Sequence, residues 1–299
     1  MDERWMRIGT GSCVLGPDDI LAVVVSYNGR DKTVRTVGAL RGHVGRVLVV
    51  DNASDASSIA LLKSLEQLPD VSLHLLEKNK GIGFALNHAI RVARDQGYRW
   101  LLTMDQDSLA DGAMVEEFRA AVTRNPDWAC LAPTLVLAGI HSAGSGSDES
   151  VGYAITSGNL VRMDVFDKVG WYDEGMFVDQ LDFDFSLRVR KANFGIYRIA
   201  KATLYHELGD AGAPKTLLGR FHTFHSPLRR YYAYRNYLQL AKRHLRDFPK
   251  FIVKLALVQM LQLVTITIYG RDRARSFLFI GRGVADFFRG RTGPYNEAR

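Results

Sequence analysis

The chain has 299 residues, 47% hydrophobic and 24% charged, with a net charge of +7 at neutral pH, an ordinary globular composition long enough for one large domain or a domain with an appendage. Two cysteines, Cys13 and Cys130, supply neither a disulfide framework nor a metal-binding spacing, and no apolar stretch follows the charged start, so a reducing compartment is expected and secretion is not. The charge is uneven: residues 228–299 hold 15 Lys and Arg against 4 Asp and Glu, an excess of +11 that leaves −4 for residues 1–227. A basic tail behind an acidic front points to a phosphate-rich partner at the C-terminal end: an anionic membrane surface, a lipid pyrophosphate or a nucleic acid.

Residues 1–18 read as a lead-in. Ile20 to Tyr27 and Val44 to Asp51 are continuous β-branched runs of the kind found in strands buried on both faces, and Val71 to Glu77 is a weaker third. Gly81-Ile82-Gly83 opens a helix to about Arg94 with one apolar face. Tyr98 to Met104 is a fourth strand, Asp111 is placed to cap a helix to about Thr123, and Trp128 to Leu137 returns to the sheet. The alternation predicts an α/β fold with a doubly wound, mostly parallel sheet. The small polar stretch His141 to Ser150 is expected to be a loop beside the cleft that orders over substrate.

Polar residues gather at the strand ends. In an open α/β sheet ligands lie outside the carboxyl ends of the strands, so Asp105 and Asp107, one residue apart after the fourth strand, stand at the mouth of a cleft. Their oxygens suit a hard cation, Mg²⁺ or Mn²⁺, that also holds substrate phosphates. Tyr27 with Asn28, Asp51, and the Asn79-Lys80-Gly81 turn share the same edge and together suggest a nucleotide site. Tyr27 offers a stacking face, Asp51 an acceptor for a pyrimidine N3–H, and the turn offers N–H groups or Lys80 to phosphates. Each has a plain alternative: Asp51 with Asn52 capping the next helix, Gly81 making a tight turn. No Gly-x-Gly-x-x-Gly follows the first strand, which disfavours a dinucleotide fold.

The ordered segments VVVSYNGR, VVDNAS, NKGIGFALN, MDQDS, TSGNLVRMDVFDKVGWYDEGMF, VDQLDFDFSLRVR and ATLYH, between Ile20 and His206, resemble the inverting glycosyltransferases of family 2, with their GT-A fold. Within that family the chain is most similar to bacterial rhamnosyltransferases that use dTDP-L-rhamnose, through FVDQLDFDFSLR and HSPLRRYYAYRN. The resemblance implies base recognition at Tyr27 and Asp51, ribose, metal and diphosphate contacts at Asp105 and Asp107, and a further metal ligand at His206. It implies a catalytic base at Asp182. The usual Glu-Asp pair is Leu181-Asp182 here, which leaves Asp179 as a rival, and the plain alternative for Asp182 or Asp184 is an i,i+4 pair with Arg188. Gly158, Asn159 and Trp171 are expected to shape the acceptor pocket, with core packing as the alternative for Trp171.

In the last third, Phe251 to Tyr269 is strongly apolar but interrupted by Lys254, Gln259 and Gln262, and reads as non-spanning. With the arginines that follow, it suits a helix lying among headgroups. Arg229, Arg230 and Arg235, interleaved with tyrosines, are candidates for the pyrophosphate of a lipid carrier; a helical dimer interface or simple packing is the alternative. The expectation is a catalytic unit at 19–215 and a basic, membrane-associating helical unit at 216–299. It would transfer L-rhamnose from dTDP-L-rhamnose to a lipid-linked saccharide, in the cytoplasm at the inner-membrane surface, with homo-oligomerisation left open. The rivals are another donor, such as UDP-galactofuranose or a hexose nucleotide, and a non-catalytic scaffold subunit. A nucleic-acid partner is disfavoured by the apolar run from Phe251.

Overall fold

Every residue of β1 (Ile20–Ser26) is buried, which is why its sequence runs apolar without alternation. Successive side chains point to opposite faces. Ile20, Ala22 and Val24 enter one core with Val37 and Leu40 of α1 (Asp31–Leu40), Leu62 of α2 (Ala56–Lys63) and Phe118 of α4 (Met114–Arg124). Leu21, Val23 and Val25 enter a second with Leu86 and Ile90 of α3 (Ile82–Asp95), Phe166 of α5 (Met163–Val169) and Phe185 of α6 (Leu181–Lys191). The result is a three-layer α/β/α arrangement in this computed structural model, which describes residues 14–137, 140–141, 146–206, 226–270 and 272–296, without the side chains of Leu137, Ile140, His141 and His206.

The expected α/β class with a doubly wound sheet is what forms. β2 (Arg46–Asp51), β3 (Val71–Leu75) and β4 (Trp100–Asp105) join β1 in parallel, in the order β3-β2-β1-β4. The order reverses between β1 and β4, so the crevice at their carboxyl ends is the switch point at which such sheets bind ligands. Beyond β4 the sheet is mixed. β5 (Ser108–Ala110) runs antiparallel to β10 (Tyr197–His206), β10 runs parallel to β6 (Cys130–Leu137), and the short β7 (Ile140–His141) and β8 (Glu149–Ser150) add to β6 and β10. β9 (Asn159–Arg162), unassigned from sequence, enters antiparallel between β4 and β6.

Two local expectations need correction. Asp111 does not cap α4: the N-cap is Ala113, and Asp111 Oδ1 instead accepts from the Ala113 N–H at 3.1 Å. The stretch His141 to Ser150 is not one open loop, since Glu149 and Ser150 pair with β10 and Asp148 accepts from the Ala200 N–H; residues 142–145 lie outside the described residues, as does the expected boundary between 215 and 216.

The C-terminal helices α7 (Pro227–His244), α8 (Pro249–Tyr269) and α9 (Arg273–Phe288) lock onto this frame through polar groups of α7. Asp184 of α6, 1% exposed, accepts from Arg188 Nε at 2.9 Å, His244 Nε2 at 2.9 Å and Arg243 Nη1 at 3.2 Å. Burial alone would raise its pKa, but these three partners outweigh it and hold the carboxyl down at about 2. Arg235, fully buried, donates to the carbonyls of Gly175, Met176 and Gly293, so it staples α7 to the body and is not a pyrophosphate ligand. Phe183 and Tyr153 pack edge-on to Phe251 in the first turn of α8. Because Asp184→Asn would leave the buried His244 and the partly exposed Arg188 and Arg243 facing a neutral amide, it is expected to cost on the order of 3 kcal/mol in urea unfolding. It should also abolish the part of wild-type stability that is present above the ordinary carboxylate range and lost as pH falls towards 2. An unchanged unfolding midpoint would refute the network.

Candidate active site

The loops after β1 and β4 are tied together by Gln106, the residue between the two acidic positions. Its Oε1 accepts from the Tyr27 N–H at 2.7 Å and its Nε2 donates to the Tyr27 carbonyl at 3.1 Å. Thr36 Oγ1 of α1 donates to the carbonyls of Gln106 and Ser108, each at 2.9 Å. From the other side Ser157 Oγ accepts from the Asp105 N–H at 3.2 Å and bonds Ser108 Oγ at 2.7 Å. A Cβ on Gly29 would collide with Thr33 Oγ1 and Gln106 Oε1, so glycine is required there. The turn carrying Asp105 and Asp107 is thus fixed before any ligand binds, and Tyr27, 49% exposed, holds its ring beside it. Ser157 is expected from sequence beside the acceptor and instead braces this turn, and Gln106 is not singled out at all, because a polar residue inside an acidic triplet gives no signal until its partner strand is known.

Asp51 behaves differently from expectation. It is fully buried, its Oδ1 accepts from Ser54 Oγ at 2.5 Å and its Oδ2 from the Ser54 N–H at 2.8 Å. Ser54 Oγ in turn accepts from the Asn28 N–H, and Asn28 Oδ1 accepts from the Asp55 N–H at 2.8 Å. Asp51 and Asn28 therefore brace the loops after β1 and β2 and present no open edge to a base. The helix cap is Asp55, which accepts from the Ser58 N–H. In the Asn79-Lys80-Gly81 turn the Lys80 and Gly81 N–H groups are already used, Gly81 donating to Asn79 Oδ1 and Lys80 to Asn52 Oδ1, and the following Ile82 donates to the Phe177 carbonyl. The turn still offers an anion the Lys80 ammonium, 4.2 Å above the Phe84 ring. Gly81, at φ +87°, lies so close to the Phe177 backbone that a Cβ would meet its carbonyl oxygen at 2.5 Å.

The acidic segment before and within α6 is brought to the same crevice. Phe177, Asp179 and Gln180 all have φ between +62° and +69°, a costly conformation for residues with a Cβ. Asn236 of α7 holds it, its Nδ2 donating to the carbonyls of Met176, Val178 and Asp179 at 2.7–3.1 Å. Asp179 is gripped by Arg229, with Nη2 at 2.9 Å and Nε at 3.2 Å. Burial opposes the charge on Arg229, but Asp179, Asp105 and Asp107 outweigh it and raise its pKa. Asp182, in the first turn of α6, pairs with no cation among the described residues. Burial first, then the charges of Asp179 and Asp105, push its carboxyl up to about 7 against the lowering effect of the Phe183 N–H. The i,i+4 pair with Arg188 belongs to Asp184.

The remaining candidates separate. The register sets the His206 backbone opposite Ser108, next to Asp107; its side chain lies outside the described residues. Among the described residues no three His, Cys, Asp or Glu groups converge on one metal position. The fit is instead of the open kind, two carboxylates whose field Arg229 feels, with the other positions left to phosphate oxygens. Gly158 and Asn159 are buried in the sheet, Gly158 with φ +77° against Pro133 and Leu204, so neither faces an acceptor. Trp171 carries Arg91 and Arg94 over its ring at 5.5 and 5.2 Å. Those residues lie beyond the middle of α3, about 13 Å or more along the axis from the end that meets the crevice, so Trp171 is packing and not an acceptor platform. Arg230 is 9% exposed and its Nε finds no partner among the described residues, which withdraws it from the acceptor side.

The Asp182 shift has a testable sign. The folded chain keeps a proton that the unfolded chain has lost over the range up to about 7, so the group favours folding at low pH and opposes it as pH rises through that value. Asp182→Asn is expected to raise the melting temperature of the metal-free protein at about pH 8, by less at about pH 5, and to leave it nearly unchanged only at about pH 3, below the ordinary carboxylate range. Equal effects at all three would place the carboxyl in the ordinary range.

Comparison with known proteins matches residues 21–169 to the glycosyl transferase family 2 domain. The chain is 27% identical over 246 residues to the dTDP-rhamnosyl transferase RfbF of Shigella flexneri, covering 76% of this chain and 81% of that protein. A structure of GalNAc-T7 with UDP, GalNAc and Mn²⁺ aligns over 89% of this chain with TM-score 0.61 and 11% identity, the chain spanning 57% of its length. S. aureus TarS 1-349 in complex with UDP-GlcNAc aligns over 91% of this chain and 73% of its own, with TM-score 0.55 and 14% identity. At such identities the two structures speak for the fold alone.

Proposed function

We propose that this chain, which belongs to glycosyl transferase family 2, transfers L-rhamnose from dTDP-L-rhamnose, with inversion, to a lipid-linked saccharide in bacterial cell-surface polysaccharide assembly. The observation that carries the reaction is the state of Asp182. Of the three carboxylates within six residues, Asp179 is paired with Arg229 and Asp184 is buried among Arg188, Arg243 and His244. Asp182 alone has a pKa, about 7, at which it can hold and release a proton under physiological conditions. It is assigned as the general base over Asp179.

In this reading the acceptor hydroxyl gives its proton to an Asp182 oxygen as its own oxygen attacks the anomeric carbon. The bond from that carbon to the diphosphate breaks on the opposite face, and the nucleoside diphosphate leaves. Asp105 and Asp107, with His206 as a further candidate, would hold a divalent cation, Mg²⁺ or Mn²⁺, which offsets charge on the leaving diphosphate. Arg229, 48% exposed at its side chain, is close enough to feel both carboxylates of the turn, and lies on the diphosphate side as much as the acceptor side. Tyr27 offers a face to the base, and Lys80 a charge to the phosphates. The donor assignment is supported by the name of the Shigella relative.

The helical unit at 216–299 is taken to rest on the inner face of the cell membrane. Its support is α8, 21 residues with mean hydropathy 2.0 and 22% of its apolar window buried. It is long and apolar enough to cross a bilayer, yet Ile252 and Ile266 bind its inner face to α7 and α6, so a helix lying in the interface is the better reading.

Asp182→Asn should lower turnover by about 10²- to 10⁴-fold while dTDP-L-rhamnose with Mn²⁺ or Mg²⁺ still raises the melting temperature of the variant as it does that of the wild type. Normal turnover would move the base elsewhere. A shift with uridine sugars but none with the thymidine sugar would change the donor, and no shift with any nucleotide would favour a scaffold.

A further inference from the structure

We propose that α9 carries a binding site for the anionic headgroup of a membrane phospholipid, which rests on the reading of α8 as an interfacial helix and adds to it a defined phosphate seat. A shallow cavity of about 540 Å³ runs along α9, walled by Phe277 and Leu278 on its apolar side and by Arg282, Arg289 and Arg291 on the other, with Tyr295 closing it. Asp286 is the acidic group in its lining: it accepts from Tyr231 OH at 3.0 Å and is shared between two of these arginines, Arg291 at 3.0 Å and Arg289 at 3.5 Å, while Arg282 is left without an acidic partner in the lining. Three guanidinium groups against one carboxylate leave the cavity two positive charges in excess.

The geometry suits a phosphate at one end and acyl chains at the other. Arg282 donates to Tyr295 OH at 2.5 Å and lies over the Phe279 and Tyr295 rings at 5.4 and 5.9 Å. Its planar fork is thereby held in place, and guanidinium forks match phosphate oxygens in pairs. Arg289 is 61% exposed. Phe277 and Leu278 are 42% and 52% exposed at the rim, where a headgroup meets its chains. The preceding helix continues the same chemistry. Val253, Leu257, Met260, Leu261, Val264 and Ile268 recur at helical spacing on its outer face, each more than 40% exposed.

The occupant is argued from charge. Residues 249–296 contain eight Lys and Arg against two Asp, and α8 itself has no acidic residue. A second copy of the chain, meeting this face by two-fold symmetry, would set one basic rim against another. An anionic bilayer is complementary to both the stripe and the rim.

The test is co-sedimentation of the full chain with vesicles of phosphatidylcholine, of phosphatidylcholine with phosphatidylglycerol, and of phosphatidylcholine with a polyprenyl phosphate. The wild type is expected to bind the phosphatidylglycerol vesicles well above the neutral ones. The double variant Arg282→Gln, Arg289→Gln should lose about 25-fold on anionic vesicles, roughly fivefold per charge, and nothing on neutral ones. Arg282→Lys, Arg289→Lys, which keep the charge and lose the fork, should also weaken binding to anionic vesicles, and full retention would reduce the site to diffuse charge attraction and overturn the seat; an unchanged thermal shift with the nucleotide sugar reports that each variant is folded. Leu257→Gln, Met260→Gln should weaken binding to every vesicle. Equal binding to neutral and anionic vesicles would overturn the headgroup site and leave the interfacial reading standing. No binding to any vesicle would overturn both without touching the glycosyltransferase reading, and binding confined to the polyprenyl phosphate would replace a headgroup site with a carrier site.

Discussion

Placing negative charge without losing it to nearby cations is the constraint on which this site depends. The segment from Asp179 to Asp184 carries three carboxylates close to an arginine-rich helix, and unselective pairing would neutralise all of them. Helix α7 is selective. Arg229 takes Asp179, Arg243 and His244 join Arg188 on Asp184, and Asp182 is left with burial and acidic neighbours. Burial acts on two of these aspartates with opposite outcomes: with three side-chain donors Asp184 is an anion well into the acid range, and with a backbone N–H but no cation Asp182 titrates near neutrality.

The same division explains the strained turn ahead of α6. Three positive-φ residues without glycine cost on the order of 1 kcal/mol each, and Asn236 offsets this with three hydrogen bonds to the carbonyls of Met176, Val178 and Asp179 in the same turn. The turn also touches the donor side, because the Ile82 N–H at the start of α3 donates to the Phe177 carbonyl and Gly81 lies flush against it. The loop bearing Lys80 and the turn that leads to Asp182 are thus one bonded unit.

Much of this was legible in the sequence where a physical period exists. β1, β2 and β4 announce themselves because strands covered on both faces must be apolar throughout, and the polar residues that end them fall at the crevice. β9 gives no such sign: four residues entering antiparallel between two longer strands are too few for a pattern. Among side chains, position was readable and burial was not. The four arginines at 188, 229, 230 and 235 are alike in letters, yet Arg235 is fully enclosed, Arg229 is half in solvent, and Arg188 spans from Asp184 to the carbonyls of Val169 and Trp171. The difference between Asp179 and Asp182 was hidden for the same reason, since the residue that pairs with Asp179, Arg229, lies fifty positions away.

Phe183 follows Asp182 directly, and its ring packs against Phe251 in the first turn of α8. Asp182 and the apolar helix are therefore separated by a single aromatic contact. A protein seated on a surface through that helix would carry Asp182 at a height set by that contact. In the proposed reading, an acceptor rooted in the same surface would have to span that height to bring its hydroxyl to Asp182.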